Sequence, residues 1–280
     1  MKISYRVIKS LRRICLYLIA IVIVTWCIGP FVWTIITSVK PAYELASLPP
    51  ILPSKLTFIH FFRIFSGRHF ERYIINSLVV ATLTTGICLL VGAPAAYALT
   101  RLKGKIAGII LIVVLGVSMF PEISIVSPLF LILRSLNLIN TYPALVFPYT
   151  TFAMPLTLWI LVSYFRELPK QLEEAAEIDG CTPLQGFMKI IVPLAAPGMF
   201  TTAILVFIFA WNEFLFALTF TRTIERQTIP VGIAMLPVMY HVPWGSISAA
   251  STVVTIPLIV MVFIFQKRII RGLTAGAIKG

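Results

Sequence analysis

The sequence predicts an all-α membrane protein with six transmembrane helices. Three observations carry that reading. Of the 280 residues, 59% are hydrophobic and only 12% are charged, whereas a soluble domain is about half apolar and about a quarter charged. The mean hydropathy is +0.98. The apolar residues also come in runs close to the roughly 20 residues that a helix needs to cross a bilayer.

Taken in order, residues 1–13 carry Lys2, Arg6, Lys9, Arg12 and Arg13 with no acid, and the first run follows from Ile14 to Ile36. A secretory signal has a shorter apolar region and a small-residue cleavage site; nothing of that kind follows here, so the run reads as an uncleaved first span. Five more runs lie at about 74–99, 106–131, 143–165, 198–221 and 247–266. The third contains Pro121 and Pro128, and the fourth begins among Pro143, Pro148 and Pro155. Helix breakers are tolerated in spans where neighbouring helices or a wet cavity satisfy the freed backbone, so spans three and four are expected to line something. Six spans put both termini on one side. Placing that side in the cytoplasm gathers most of the 23 Lys and Arg residues there, as the positive-inside rule requires. The loop at 39–73 also holds basic residues, at low density.

The net charge of +13 is therefore a topological signal and not a nucleic-acid footprint, because basic residues flank spans and no basic stripe with interleaved aromatics occurs. Cys15, Cys27, Cys88 and Cys181 have neither metal-ligand nor disulfide-framework spacing. No glycine-rich phosphate loop precedes a Lys-Ser or Lys-Thr pair, and no metalloprotease, nucleophile-elbow or triad pattern is present. The chain is expected to be non-catalytic, with no cofactor of its own.

One segment breaks the apolar pattern: LEEAAEIDGCTPLQGFMKIIVPLAAPG, Leu172 to Gly198. The topology places residues 166–197 in the cytoplasm. Pro169 suits a helix start. Glu173, Glu174 and Glu177 sit near the positive N-terminal half. Ala175 and Ala176 add helix propensity without bulk. Gly180 fits a left-handed C-terminal cap. Thr182, Pro183 and Gln185 then form the pattern of a capping box. Phe187, Ile190 and Ile191 give the second arm an apolar face, and Pro193 and Pro197 end it. The product is helix, glycine elbow, helix, with arms too short to span a bilayer. An acidic, small-residue knob suits a protein partner better than an anionic lipid surface, which repels acids.

This stretch resembles the EAA motif of binding-protein-dependent ABC importer permeases. Glu174-Ala175-Ala176 is followed by Asp179, Gly180 and, nine residues on, Ile190-Ile191-Val192-Pro193. Val192 stands where the motif has leucine. The resemblance implies the type I importer permease fold, with the elbow as a coupling helix that docks in a cleft of a separate ATP-hydrolysing subunit. Glu174 would be the polar anchor, Ala175 and Ala176 the close-contact face, and Gly180 the turn, with Asp179, Ile190 and Pro193 completing the motif. It further implies a second permease subunit, two ATPase subunits holding ATP and magnesium, an extracellular solute-binding protein, and residence in the inner membrane among lipid.

Two stretches are similar to the smaller permease of the maltose-type, carbohydrate-uptake branch: WNEFLFALTFT, Trp211 to Thr221, and the terminal GLTAGAIKG, Gly272 to Gly280. The chain then divides into an N-terminal tail, first span and outer loop at 1–71, a permease domain at 72–266, and a cytoplasmic tail at 267–280. Ionisable groups in spans are functional hypotheses by default. Asn212 and Glu213, in the outer half of span five, and Glu122, after the Pro121 kink, are candidate pathway residues. Trp211 and Tyr149 are candidate aromatic platforms for a sugar. Glu213 has two structural alternatives, a wet place at the outer interface or pairing with a backbone donor on another span. The segment Arg222 to Ser246, with Met235, Pro237, Met239, Tyr240, His241, Pro243 and Trp244, is a candidate docking surface for the binding protein. Three rival readings stand beside the sugar importer: an ABC permease for glycerol-3-phosphate or another polar solute, a secondary transporter, and a structural membrane scaffold, which would leave the broken spans unexplained.

Overall fold

A computed structural model of the chain describes residues 5–45, 50–102, 105–237 and 242–274. Lys2, Met239, Tyr240, His241 and the last six residues of the tail, among the positions singled out above, lie outside the described residues. Among the described residues every regular element is helical. Four helices are long and apolar enough to cross a membrane, Arg12–Ser38, Phe70–Arg101, Pro143–Glu167 and Trp244–Gln266, and counting each of two bent pairs as a span raises the total to six.

The chain forms two compact units. The first comprises residues 1–68 and 236–255. Its helix α1, Tyr5–Ser38, continues through Pro30, and its apolar stretch has none of its residues buried within the chain. A short 3-10 turn at Ala42–Glu44 and helix α2, Ile59–Arg68, occupy what reads in sequence as a long loop. Lys40 is wholly buried there. Its ammonium lies 4.5 Å from the centre of the Trp33 ring and donates to the Pro50 carbonyl, so cation–π attraction and a hydrogen bond offset its desolvation.

The second unit, residues 69–235 and 256–280, carries the elbow. Helix α3, Phe70–Arg101, is its hub. Against α3 pack α6, Pro143–Glu167, and α10, Ala196–Asn212. Ala93 and Ala96 of α3 are buried with Leu161, Val162 and Phe165 of α6, and small residues of this kind let two helix backbones come close where water supplies no drive for association. Buried hydroxyls return to their own helices: Thr157 donates to the Ala153 carbonyl at 2.9 Å and Thr202 to that of Gly198 at 2.9 Å, which satisfies them without water.

The third apolar run, at 106–131, is broken at Pro121, where the sequence has its helix breaker. Helices α4, Ile106–Ser118, and α5, Glu122–Ser135, meet at 87°. Pro121 has φ −63° and ψ 121°, an extended geometry that proline favours and that cannot continue a helix. Glu122 then supplies an acid in the first turn of α5 and Arg134 a base in its last, complementing both ends of the helix dipole. The expected fifth span at 198–221 is also two elements. Helix α10 ends at Asn212, and a separate helix α11, Leu215–Phe220, follows and packs on α5 and α6.

At the end of α6 away from the elbow, helix α12, Ile229–Ala234, and the loop before it are tied down by two asparagines that the sequence does not single out. Asn76 Nδ2 donates to the carbonyls of Ile224 and Gln227, at 2.9 and 2.8 Å, while its Oδ1 accepts from the Tyr142 hydroxyl at 2.8 Å. Asn140 Oδ1 accepts from the backbone N–H groups of Arg222 and Thr223, at 2.9 and 3.2 Å. Asn140 has φ 64°, a left-handed geometry that Asn tolerates better than most side chains. The Arg226 guanidinium covers the Tyr142 ring at 4.5 Å.

Candidate functional site

The elbow consists of α7, Gln171–Ile178, α8, Pro183–Gly186, a π turn at Phe187–Ile191 and α9, Val192–Leu194. Helix α7 ends in a Schellman motif: the Cys181 N–H reaches the Ala176 carbonyl at 2.9 Å and the Gly180 N–H that of Glu177 at 3.0 Å, with Gly180 at φ 80°. The second arm opens on the capping box. The Gln185 N–H donates to Thr182 Oγ1 at 3.3 Å, and the Thr182 N–H to Gln185 Oε1 at 2.9 Å. Two local motifs that adjoin at Cys181 and Thr182 thus fix the angle between the arms.

That angle decides which residues face outward. Glu174, Ala175, Glu177, Asp179 and Gly180 are exposed. Ile178, Leu184 and Met188 are 86%, 70% and 57% exposed. Three large exposed apolar side chains and three exposed carboxylates, Glu174, Glu177 and Asp179, on one short segment suit a protein partner. Ala176 is corrected: it is buried, and a Cβ on Gly186 would lie 3.7 Å from its own Cβ. Its small side chain lets the two arms touch each other, not an outside partner. Ile190 is half-buried, Pro193 is exposed, and Phe187 and Ile191 turn into the core shared with α3 and α6. The second arm ends before the next span, at Leu194. The Pro183–Leu194 arm runs directly into α10 with a 76° bend centred on Ala195, whose ψ is −1°.

The candidate pathway residues do not converge on an open site. Trp211 is buried and stacks on Phe207 at 5.5 Å. Tyr149 is fully buried against Phe209 and Phe216, at 6.5 and 6.4 Å. Neither ring offers a free face to a sugar in this conformation. Asn212 is exposed, with Nδ2 donating to the Ile208 carbonyl at 2.8 Å. Glu122 is half-buried at the start of α5. Glu213 adopts the paired alternative, though with donors from its own segment. It sits in the break between α10 and α11, and its carboxylate accepts from the Phe216 and Ala217 N–H groups at 2.7 and 3.2 Å, otherwise orphaned at the first turn of α11.

A test separates these roles. Glu213→Ala leaves two buried N–H groups unsatisfied and should destabilise the chain by on the order of 3 kcal/mol, whereas Glu213→Gln keeps an acceptor and should lower the unfolding midpoint less. Thermal unfolding of the two variants in detergent checks this; equal midpoints for Ala, Gln and the parent would contradict the capping role.

Among the described residues no group of three or more His, Cys, Asp or Glu side chains is placed to hold a metal ion. Cys88 is buried in the α3–α6 contact, its thiol 3.8 Å from the Thr150 carbonyl.

Residues 88–275 match the family model described as binding-protein-dependent transport system inner membrane component. The chain belongs to that family. Within it, this permease is 46% identical over 277 residues to the trehalose/maltose transport system permease protein MalG of Thermococcus litoralis, an alignment covering 97% of this chain and 99% of that one. It is 46% identical over 260 residues to the trehalose transport system permease protein SugB of Mycobacterium tuberculosis, covering 92% and 94%. It is 42% identical over 252 residues to the sulfoquinovosyl glycerol transport system permease protein SmoH of Agrobacterium fabrum, covering 90% and 88%. The permease fold is shared with a solved bacterial ABC transporter involved in import of the acidic polysaccharide alginate, with a TM-score of 0.75 at 22% identity over 95% of this chain and 98% of that one.

Proposed function

We propose that this permease is one membrane subunit of an ATP-driven carbohydrate importer, with a neutral disaccharide of the trehalose or maltose type as its substrate. The observation that carries the reading is the elbow: a rigid two-arm knob with exposed apolar and acidic side chains, built by the residues of the EAA motif. Both termini lie in the cytoplasm. Two ATPase subunits bind there, one of them receiving Ile178, Leu184 and Met188 in its cleft with Glu174 as polar anchor. A second permease completes the pathway, and an extracellular binding protein delivers sugar at the opposite end. ATP and magnesium reside on the ATPases, and this chain catalyses no reaction.

Closure of the ATPases on ATP moves the knob as a rigid body. Because the elbow runs into α6 at one end and α10 at the other, its displacement tilts both helices and exchanges inward for outward access. The 46% identity over nearly the whole of two trehalose permeases supports the substrate class. The 42% identical relative whose name carries sulfoquinovosyl glycerol favours a second arm in the assay, an anionic glycoside.

The test is uptake of labelled trehalose and maltose into proteoliposomes holding the permease pair and ATPases, with binding protein added outside. Uptake should require internal ATP and be competed by the unlabelled disaccharide. Competition only by sulfoquinovosyl glycerol or glycerol-3-phosphate would reassign the substrate. Uptake driven by an ion gradient without any ATPase would sink the importer reading.

A further inference from the structure

The chain itself ties the elbow to α6 and α10, but not to α3. Arg101, the last residue of α3, precedes Glu173 by 72 positions. Yet α3 is the helix against which both α6 and α10 pack. If the elbow moved without α3, it would have to shear those two interfaces.

Arg101 and Glu173 close that gap. Arg101 Nε donates to Glu173 Oε2 at 2.8 Å, and Arg101 Nη2 pairs with Oε1. The contact is a charge-assisted hydrogen bond within an ion pair, stronger than a bond between neutral groups. The side chains are 23% and 20% exposed, so the pair is largely withdrawn from water. Each charge also sits at the helix end that favours it: Arg101 in the last turn of α3 and Glu173 in the first turn of α7. The Arg101 guanidinium lies 5.0 Å from the Tyr97 ring centre, one turn back on α3. Tyr97 in turn meets Phe187 of the second arm at 4.9 Å and Phe165 of α6 at 5.9 Å, and Phe165 meets Phe187 at 6.2 Å. Both arms of the elbow, α3 and α6 therefore converge on one ion pair and three rings. Glu173 is the acid beside the motif glutamate, and unlike Glu174 it faces inward.

We propose that the Arg101–Glu173 pair, backed by Tyr97, Phe165 and Phe187, is a joint that makes α3 move with the elbow as one body. Arg101 and Glu173 are positioning residues: they touch neither ATP nor solute, and they decide whether ATPase motion reaches the hub helix. The proposal rests on the importer reading above.

The test uses the complete complex in proteoliposomes, with ATP-driven uptake by the parent complex established first; its absence would count against the importer reading and not against the joint. In an assembled complex, Arg101→Glu places two carboxylates together and should lower uptake about tenfold or more, within the usual range of coupling free energies, while ATP hydrolysis persists. The exchanged pair Arg101→Glu with Glu173→Arg should recover much of the uptake. In a background without native cysteines, Arg101→Cys and Glu173→Cys joined by a flexible bis-maleimide should transport better than the same pair left unjoined. Full uptake by Arg101→Glu would overturn the proposal. So would a parallel loss of uptake and hydrolysis that the exchange does not repair, or a cross-link that abolishes uptake while hydrolysis continues, since a joint that must open is not one body.

Discussion

Gly180→Pro should abolish ATP-driven uptake while the permease still inserts in the membrane and assembles. Gly180 sits at φ 80° and proline is confined near φ −65°, so the substituted chain cannot make this turn. Proline also removes the N–H that bonds the Glu177 carbonyl at 3.0 Å. The two losses together cost about 3 kcal/mol or more, and they fall on a four-residue stretch that sets the angle between the arms. A Cβ at Gly180 would meet nothing within 4 Å. Crowding of a Cβ therefore plays no part, and the backbone angle and the lost N–H carry the effect. Gly180→Asn is the matching control: Asn accepts left-handed geometry at a cost of about 1 kcal/mol or less, and uptake should largely survive. Uptake in vesicles, with the amount of assembled complex measured alongside, checks both variants. Full transport by the proline variant would remove the elbow from the coupling path.

Gly198→Val should destabilise the permease by forcing two packed helices apart. Gly198 is buried in the first turn of α10, just past the 76° bend. A Cβ there would lie 2.3 to 2.6 Å from Cγ, Cδ1 and Cδ2 of Tyr164 on α6. These atoms are at the root of the ring, so the ring cannot simply swing its far end away, and the helices must separate. Overpacking of this kind costs about 1–3 kcal/mol, and occasionally more. Thermal unfolding in detergent should show a clear drop in midpoint for Gly198→Val and a smaller one for Gly198→Ala. Shortening the ring in the double variant Gly198→Ala with Tyr164→Ala should recover part of the alanine loss. An unchanged midpoint for the valine variant would mean that α6 and α10 do not depend on this close approach.

The contrast between the two glycines shows what a sequence discloses. Gly180, Thr182 and Gln185 announce their roles because each acts over three to six residues, and local chemistry is written locally. The apolar runs likewise give the spans. Pro121 announces a break, but its 87° angle depends on what α4 and α5 pack against. Gly198 lies in an apolar run, and nothing nearby records that Tyr164 will press against it. Asn76 closes contacts with residues about 150 positions away, and a lone Asn before an apolar run carries no mark of that. Glu213 reads as an ionisable group in a span until α10 is seen to end beside it. Ala176 misleads for a related reason: its motif names the residue types on the knob, whereas the face each one presents is settled by Gly186 on the other arm.

The π turn at Phe187–Ile191 bears on engineering. Such a turn holds one more residue than an α-helical turn, and one residue is about 100° of rotation in a helix of 3.6 residues per turn. The knob at Ile178 and Leu184 is thus clocked against α10 by a single inserted position. Substitutions on the knob leave that phase alone, but a one-residue deletion between Phe187 and Ile191 would swing the docking face about a quarter of the way around. Chimeric permeases that borrow an elbow from a relative should therefore be spliced upstream of Gln171 and downstream of Ala195, so that donor knob and donor phase travel together.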